Sequence, residues 1–221
     1  MSNRRLFILV EGNDDQRFFS RIIKPLLAPR YASVELVMYA CMKRTRICKF
    51  INTIRAMGHE FILVADNDLE PSIRVKKGVI QERICAVDPG EIMVIVQEIE
   101  SWYLAGIDRE SARVLGIKPP QFTDQVTKER FNRHIPKRYS SRIAYMLDLL
   151  SYYSIPVAIS KNRSFHYFLV HYHLEETGFP GSPQDAVQVQ DSGPAIQQSS
   201  TGVQSHKGEP DQAEPAYRQS G

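Results

Sequence analysis

The chain has few cysteines and no paired cysteine motif. Its 221 residues include three, at Cys41, Cys48 and Cys85, and none forms a CxxC spacing. An odd number without paired spacing predicts neither a disulfide framework nor a structural zinc site. Reduced thiols of this kind indicate a cytoplasmic protein.

Long apolar runs are absent as well. No stretch approaches the roughly 18 apolar residues that a membrane-spanning helix needs. The apolar run near the N terminus stops at Glu11, which makes it too short for the core of a signal peptide. We therefore expect a soluble protein without membrane contact, and its hydrophobic content of 43% is ample for a globular core.

Neither sign of charge dominates the composition. The 28 basic residues slightly outnumber the 25 acidic ones, which gives a formal net charge of +3. Such a balance permits a polyanionic partner without requiring one. From residue 178 onward the composition changes to Gly, Pro, Ser and Gln, which predicts a disordered tail over 178–221.

The sequence also lacks the alternating polar and apolar pattern of a one-sided antiparallel sheet. Near-continuous apolar runs are instead separated by segments of helical periodicity, which predicts βαβ units and a parallel sheet covered on both faces. The predicted strands cover 6–10, 34–39, 60–65 and 92–96. The predicted later helices cover 109–115, 128–134, 141–153 and 162–177.

These patterns divide the chain into three parts. We predict an α/β domain over 1–107, a helical extension over 108–177 that packs on it, and the tail over 178–221. Trp102, beside the end of the last strand, is predicted to lie in the core.

Acidic residues closely follow three of the four predicted strands. Glu11 follows the first strand, Asp66 and Asp68 follow the third, and Glu98 and Glu100 follow the fourth. Because the carboxyl ends of parallel strands meet at one edge, we expect these carboxylates to gather there. Carboxylate oxygens are the ligands that Mg²⁺ or Mn²⁺ prefers, so the edge is a predicted metal site suited to phosphate chemistry.

The spacing of these acids suggests roles for them. Asp66 and Asp68 stand two residues apart, so on an extended segment their side chains would share one face, which suits two metal ligands. Glu11 would be either a ligand or the general acid/base. Asp14 and Asp15 are interpreted more simply, as first-turn residues that suit the dipole of the following helix.

In their order and strand context, these motifs resemble the TOPRIM domain of topoisomerases, primases and the overcoming-lysogenization-defect nucleases. A closer similarity is to an uncharacterised bacterial TOPRIM-like group. The resemblance covers about 4–177, with the TOPRIM core at 4–107, and the loop at 40–43 departs from it by lacking glycine. The residues that carry it are Val10-Glu11-Gly12, Val64-Ala65-Asp66-Asn67-Asp68, the stretch from Glu98 to Trp102, and Ser164-Phe165.

The resemblance implies a TOPRIM-like Rossmannoid fold and a magnesium-dependent nuclease or phosphodiester-transfer enzyme acting on DNA or RNA. It also implies a role in antiphage defence and an ATPase or other activating partner. Glu100 is favoured over Glu98 as a further metal ligand, because Ser101 and Trp102 follow it as in that group.

Basic residues could hold the phosphates of such a substrate. Lys161 as a catalytic residue and Arg163 as a phosphate contact would serve if the helical extension folds back over the acidic edge. A basic face on the helix after the second strand is a predicted nucleic-acid contact; its residues are Lys43, Arg44, Arg46 and Lys49.

Two other functions fit part of the pattern. A phosphoacceptor receiver domain also carries acids after its first and third strands, but it needs a hydroxyl residue after the fourth strand and a lysine after a fifth. Gln97 and the missing fifth strand argue against it. A non-catalytic subunit of a defence or toxin-antitoxin-like system would use the acidic edge only to bind nucleic acid, metal or a partner.

Overall fold

The sheet at the centre of the protein is all-parallel. A computed structural model describes residues 3–68, 70–85 and 87–174, so the predicted tail lies outside the described residues. The strand order is β2-β1-β3-β4, with every pair parallel. The strands are β1 (Arg5–Val10), β2 (Ser33–Met38), β3 (Glu60–Asp66) and β4 (Ile92–Ile95). The α/β prediction is thus confirmed.

Helices connect the strands and cover the sheet. After β1, α1 (Asn13–Phe18) continues through a π-helical turn (Phe19–Ile23) into α2 (Lys24–Leu27) and a 3₁₀ turn (Ala28–Arg30). The next two crossovers contain α3 (Arg44–Ala56) and α4 (Ile73–Arg83), and a 3₁₀ turn (Pro89–Glu91) leads into β4.

Six further helices follow the last described strand. They are α5 (Ile99–Ala105), α6 (Arg109–Leu115), α7 (Lys128–Arg133), α8 (Arg142–Ser151), α9 (Ile155–Lys161) and α10 (Arg163–His171). In the described part of the chain, no single helix is long and apolar enough to cross a membrane, and α8 with α9 meets that test only as a pair bent by 109°.

Both faces of the sheet are buried, which explains why its strands read as continuous apolar runs. Ile8 and Val10 of β1 face a core that α1, α5, α8 and α10 complete. Leu9, one residue between them, faces the opposite core, where Ile51 of α3 and Ile80 of α4 pack. Alternate strand residues thus serve two hydrophobic cores.

The helical extension packs on the α/β core through aromatic side chains. Trp102 of α5 is fully buried, as predicted, and its ring contacts Phe18, Phe165 and Phe168. Its indole Nε1 donates a hydrogen bond of 2.9 Å to Ser164 Oγ at the start of α10. The Ser164-Phe165 motif therefore has a structural role, because it joins the extension to α5, the helix that follows β4.

Two helices were not anticipated from the sequence. The sequence places Glu98 and Glu100 at a strand end, but Glu98 is the N-cap of α5, so Glu100 lies in a helical first turn. The predicted helix over 162–177 begins as expected at its N-cap Asn162, whose side chain accepts from Phe165 N, and ends earlier, at His171. The segment before it forms α9.

Candidate metal and nuclease site

The register of the central strands brings Glu11 next to Asp66. Leu9 of β1 pairs with Leu63 of β3, so Glu11 comes level with the residue before Asp66, about 5 Å away across the sheet. The Glu11 carboxylate accepts a hydrogen bond from the backbone N–H of Asp66. The predicted meeting of these two acids is therefore present.

Tyr39, directly after β2, holds Glu11 from the other side. Its hydroxyl lies 3.2 Å from Glu11 Oε1 and 3.0 Å from the carbonyl oxygen of Val64. Burial, reinforced by the Glu11 charge, raises the pKa of Tyr39 far above its usual range, so the phenol keeps its proton and remains a donor. Tyr39 thus positions the Glu11 carboxylate.

Asp15 is a member of the site that the sequence analysis missed. Its place in the first turn of α1 predicts only an interaction with the helix dipole, but the residue is only 5% exposed and its Oδ2 accepts a 3.1 Å bond from Gly12 N. Its Oδ1 is buried without a hydrogen-bond partner among the described residues. Burial raises the pKa of Asp15 to about 7, with further contributions from Glu11 and Glu100. The available signal was its spacing, because four residues after Glu11 the first turn of α1 returns to the sheet edge.

Asp66 is similarly placed. Its Oδ1 is buried and lacks a hydrogen-bond partner within the described chain. Burial raises its pKa well above the usual range, and repulsion from four other carboxylates raises it further. We call these five residues the carboxylate cluster: Glu11, Asp15, Asp66, Asp68 and Glu100.

Asp68 does not share a strand face with Asp66, so that prediction is wrong. Its backbone is left-handed, with φ of 51°, and so is that of Gln97 after β4, with φ of 61°. A 3.2 Å hydrogen bond from Asp68 N to Gln97 O joins the two loops. Such conformations are strained for residues other than glycine. The side chain of Asp68 is 52% exposed and bonds to the Lys76 ammonium at 2.7 Å.

Glu98 and Glu100 point to different partners because the segment is helical. Glu98 accepts a hydrogen bond from the backbone N–H of Lys128. The Glu100 side chain is 4% exposed and pairs with Arg142 of α8, which also pairs with Asp14. Burial raises the pKa of Glu100, against the effect of Arg142. Glu100, the favoured candidate, is therefore the one that belongs to the cluster.

The two predicted cations of the extension have other described partners. The Lys161 ammonium donates to the carbonyl of Ile107, and the nearby charge that affects it is Asp108. Arg163 is 86% exposed and lies 3.4 Å from Asp124. None of these contacts joins Lys161 or Arg163 to the carboxylate cluster, so their roles stay predictions.

The predicted basic face begins at the correct edge of the sheet. Helix α3 starts after the carboxyl end of β2, at the edge that also carries the cluster. Its basic side chains Lys43, Arg46 and Lys49 are exposed. Arg44 is exposed as a residue, but its Nε donates a 3.0 Å hydrogen bond to Ile84 O, which ties it to the end of α4.

The cluster has the donor chemistry of a magnesium site but not a finished coordination shell. Among the described residues, no group of three or more His, Cys, Asp or Glu side chains is arranged to hold a metal ion. The unpartnered oxygens of Asp15 and Asp66 fit a hard cation. Asp68 and Glu100, in contrast, are engaged by Lys76 and Arg142.

Comparison of the chain with protein-family models, with curated proteins and with solved structures gave no match. The similarity to TOPRIM-like proteins therefore rests on the short motifs.

Proposed function

We propose that this protein is a divalent-metal-dependent nuclease or related phosphodiester-transfer enzyme that acts on DNA or RNA through the carboxylate cluster. The observation that carries the proposal is the pair of buried, unpartnered oxygens on Asp15 and Asp66 beside Glu11. Buried carboxylates that repel one another destabilise a fold unless a cation compensates them. A bound divalent ion reverses that cost, which gives a physical reason for keeping these residues together.

The residues of the cluster would have two roles, metal binding and proton transfer. Glu11, Asp66 and Asp68, joined by Asp15 and Glu100, would hold Mg²⁺ or Mn²⁺. When bound, such an ion neutralises charge on a phosphate and orients the attacking water. Glu11 is fixed by Tyr39 and by the Asp66 N–H, and burial raises its pKa. It is therefore suited either to accept the proton of the attacking water or to serve as a ligand.

Substrate would lie along the carboxyl edge of the sheet. Lys43, Arg46 and Lys49 present positive charge there, which suits contacts to the phosphate backbone that do not depend on sequence. Arg163 and Lys161 would act from the extension. A cytoplasmic location, a role in antiphage defence and an ATPase or other activating partner belong to the proposal through the TOPRIM-like resemblance.

The test is a cleavage assay with matched variants. Purified protein is incubated with single- and double-stranded DNA and RNA, with Mg²⁺, Mn²⁺ or EDTA. We expect metal-dependent cleavage that falls by more than about 100-fold in Glu11→Gln and Asp66→Asn, the loss typical when one charge-stabilising group is removed. Glu35→Gln is the control, because Glu35 lies on β2 with its side chain 42% exposed and pairs with Arg5.

Equal degradation by all these proteins would mean that another site or a contaminant is responsible, and the proposal would fail. The second candidate is a non-catalytic nucleic-acid or partner-binding subunit. It is favoured by the ion pairs of Asp68 and Glu100, which occupy two prospective ligands with protein cations. Binding of nucleic acid without cleavage under every metal condition would support it.

A further inference from the structure

Lys76 is a protein cation placed inside the carboxylate cluster. Its side chain is only 12% exposed, and its ammonium lies 2.7 Å from Asp68 Oδ2. It is also close enough to Glu11 for its charge to lower the pKa of that carboxyl. Lysine side chains are seldom so buried unless they are paired. Lys76 therefore places a positive charge at Asp68 and Glu11, two carboxylates that a divalent cation would also bind.

The connection between β3 and α4 delivers this charge. Asn67 Nδ2 donates a 2.9 Å hydrogen bond to Glu70 O, which joins Asn67 to Glu70. Ser72 caps α4 by accepting from Val75 N. Lys76 then lies in the second turn of α4 and reaches back to Asp68. The next residue, Lys77, points elsewhere, with its ammonium on the carbonyl of Pro89.

Arg142, another cation at the cluster, is held much more firmly. The Arg142 guanidinium bonds to Asp14, Glu100 and Asn132, and it lies over the ring of Phe131. Asp68 is the one hydrogen-bond partner of the Lys76 ammonium within the described residues. A lysine ammonium is a compact charge on a flexible stem, so it exchanges partners more readily than a clamped arginine. Lys76 is therefore the exchangeable cation.

We propose that Lys76 is an internal counter-ion that competes with a divalent metal ion for Asp68 and is transferred to a substrate phosphate when nucleic acid binds. This inference rests on the proposed function. An ammonium that leaves Asp68 for a phosphate oxygen keeps a charge-assisted hydrogen bond and frees the carboxylate as a metal ligand. Metal and nucleic acid then each increase the affinity for the other, because such coupling is reciprocal.

The test measures metal affinity rather than activity. Mn²⁺ binding to the full chain is followed by calorimetry and by electron paramagnetic resonance, without nucleic acid. We expect Lys76→Met to bind Mn²⁺ at least about 10-fold more tightly than wild type, because the competitor is gone. Lys76→Arg, which keeps the charge, and Lys77→Met, on the same helix, should each stay within about 3-fold of wild type.

A second arm tests the transfer to phosphate. A mixed-sequence phosphorothioate oligodeoxynucleotide and its RNA counterpart serve as slowly cleaved probes. Whichever probe binds should increase the affinity of wild type for Mn²⁺ by several-fold. The affinity of Lys76→Met for Mn²⁺ should stay almost unchanged. The variant should fold, since Asp68 is half exposed and can take water in place of the ammonium; circular dichroism checks this.

The outcomes separate the two proposals. If Asp66→Asn abolishes Mn²⁺ binding while Lys76→Met leaves the affinity at the wild-type value or weakens it, the counter-ion inference is wrong and the metal site stands. A probe that affects wild type and Lys76→Met equally would refute the transfer step. If wild type binds no Mn²⁺, or binds it regardless of Asp66→Asn, both proposals fail.

Discussion

Asp15→Asn should stabilise the metal-free protein. The Asp15 carboxylate is buried beside Glu11, and its Oδ1 has no hydrogen-bond partner among the described residues. Asparagine has the same shape, and its carbonyl oxygen can accept the bond from Gly12 N that Asp15 Oδ2 now accepts. Its amide can donate to a neighbouring carboxylate, whereas Asp15 can only repel it. The substitution therefore removes a buried charge without removing the hydrogen bond from Gly12 N.

The expected magnitude follows from the pKa of Asp15, which rises from its ordinary value of 3.8 to about 7. At about 1.36 kcal/mol for each pKa unit, the charged form costs roughly 4 kcal/mol of folding stability above pH 7. Between pH 4 and 7 the folded protein binds more protons at this site than the unfolded chain, so stability falls as the pH rises through that interval. The cost is roughly 2 kcal/mol at pH 5.

Urea unfolding in EDTA measures the effect. Trp102 is the chain's single tryptophan and is fully buried, so its fluorescence reports unfolding. Asp15→Asn should exceed wild type by up to about 4 kcal/mol at pH 8 and by less at pH 5. The control is Asp14→Asn, which loses ion pairs with Arg17 and Arg142 and should be less stable than wild type.

Two results would refute this reasoning. One is an Asp15→Asn protein that is less stable than wild type at pH 8 without metal. The other is a stability difference that is the same at pH 5 and pH 8, since the cost is attributed to the ionised form. Saturating Mn²⁺ should reduce or reverse the advantage of the variant, because a bound cation compensates the carboxylate.

Further predictions concern the extension and the helices around the site. Arg142→Met leaves Glu100 buried and unpaired, so it should lower the free energy of unfolding by about 3–5 kcal/mol. Adding Glu100→Gln should restore most of that loss, and an unchanged urea midpoint for Arg142→Met would contradict the ion pair. Gly106→Ala places a Cβ 2.5 Å from the Tyr153 ring and should cost about 1–3 kcal/mol. In Gly78→Ala, on α4, the added Cβ meets nothing within 4 Å, so the free energy of unfolding should rise by up to about 1 kcal/mol. Thermal melts in which Gly106→Ala and Gly78→Ala shift in the same direction would contradict this packing.

Part of the site could be predicted because it depends only on where the strands end and on which strands are neighbours. Glu11 and Asp66 each follow a continuous apolar run, and two such runs in a parallel sheet must end at the same edge. Their contact then needs only that β1 and β3 be neighbours, which the sheet order provides. Glu100 was favoured for its place in a motif, and it does face the cluster.

The rest could not be predicted because distant residues decide it. Asp68 leaves the extended conformation at a turn whose backbone is bonded to Gln97, on the loop after another strand. The position of the Glu100 side chain is set by α5. All residues of this helix are buried, so its sequence does not show the pattern of one polar and one apolar face that predicts a helix.

The sequence by itself determined the parallel α/β architecture and the edge of the sheet where acidic side chains collect, because the hydrophobic effect acts on each segment's own apolar pattern. Tertiary structure decided that the Asp15 side chain is buried among them and that Lys76 and Arg142 neutralise two of them. Ion pairs and buried charges depend on distances of a few ångströms between segments far apart in the chain, and no local pattern records those distances.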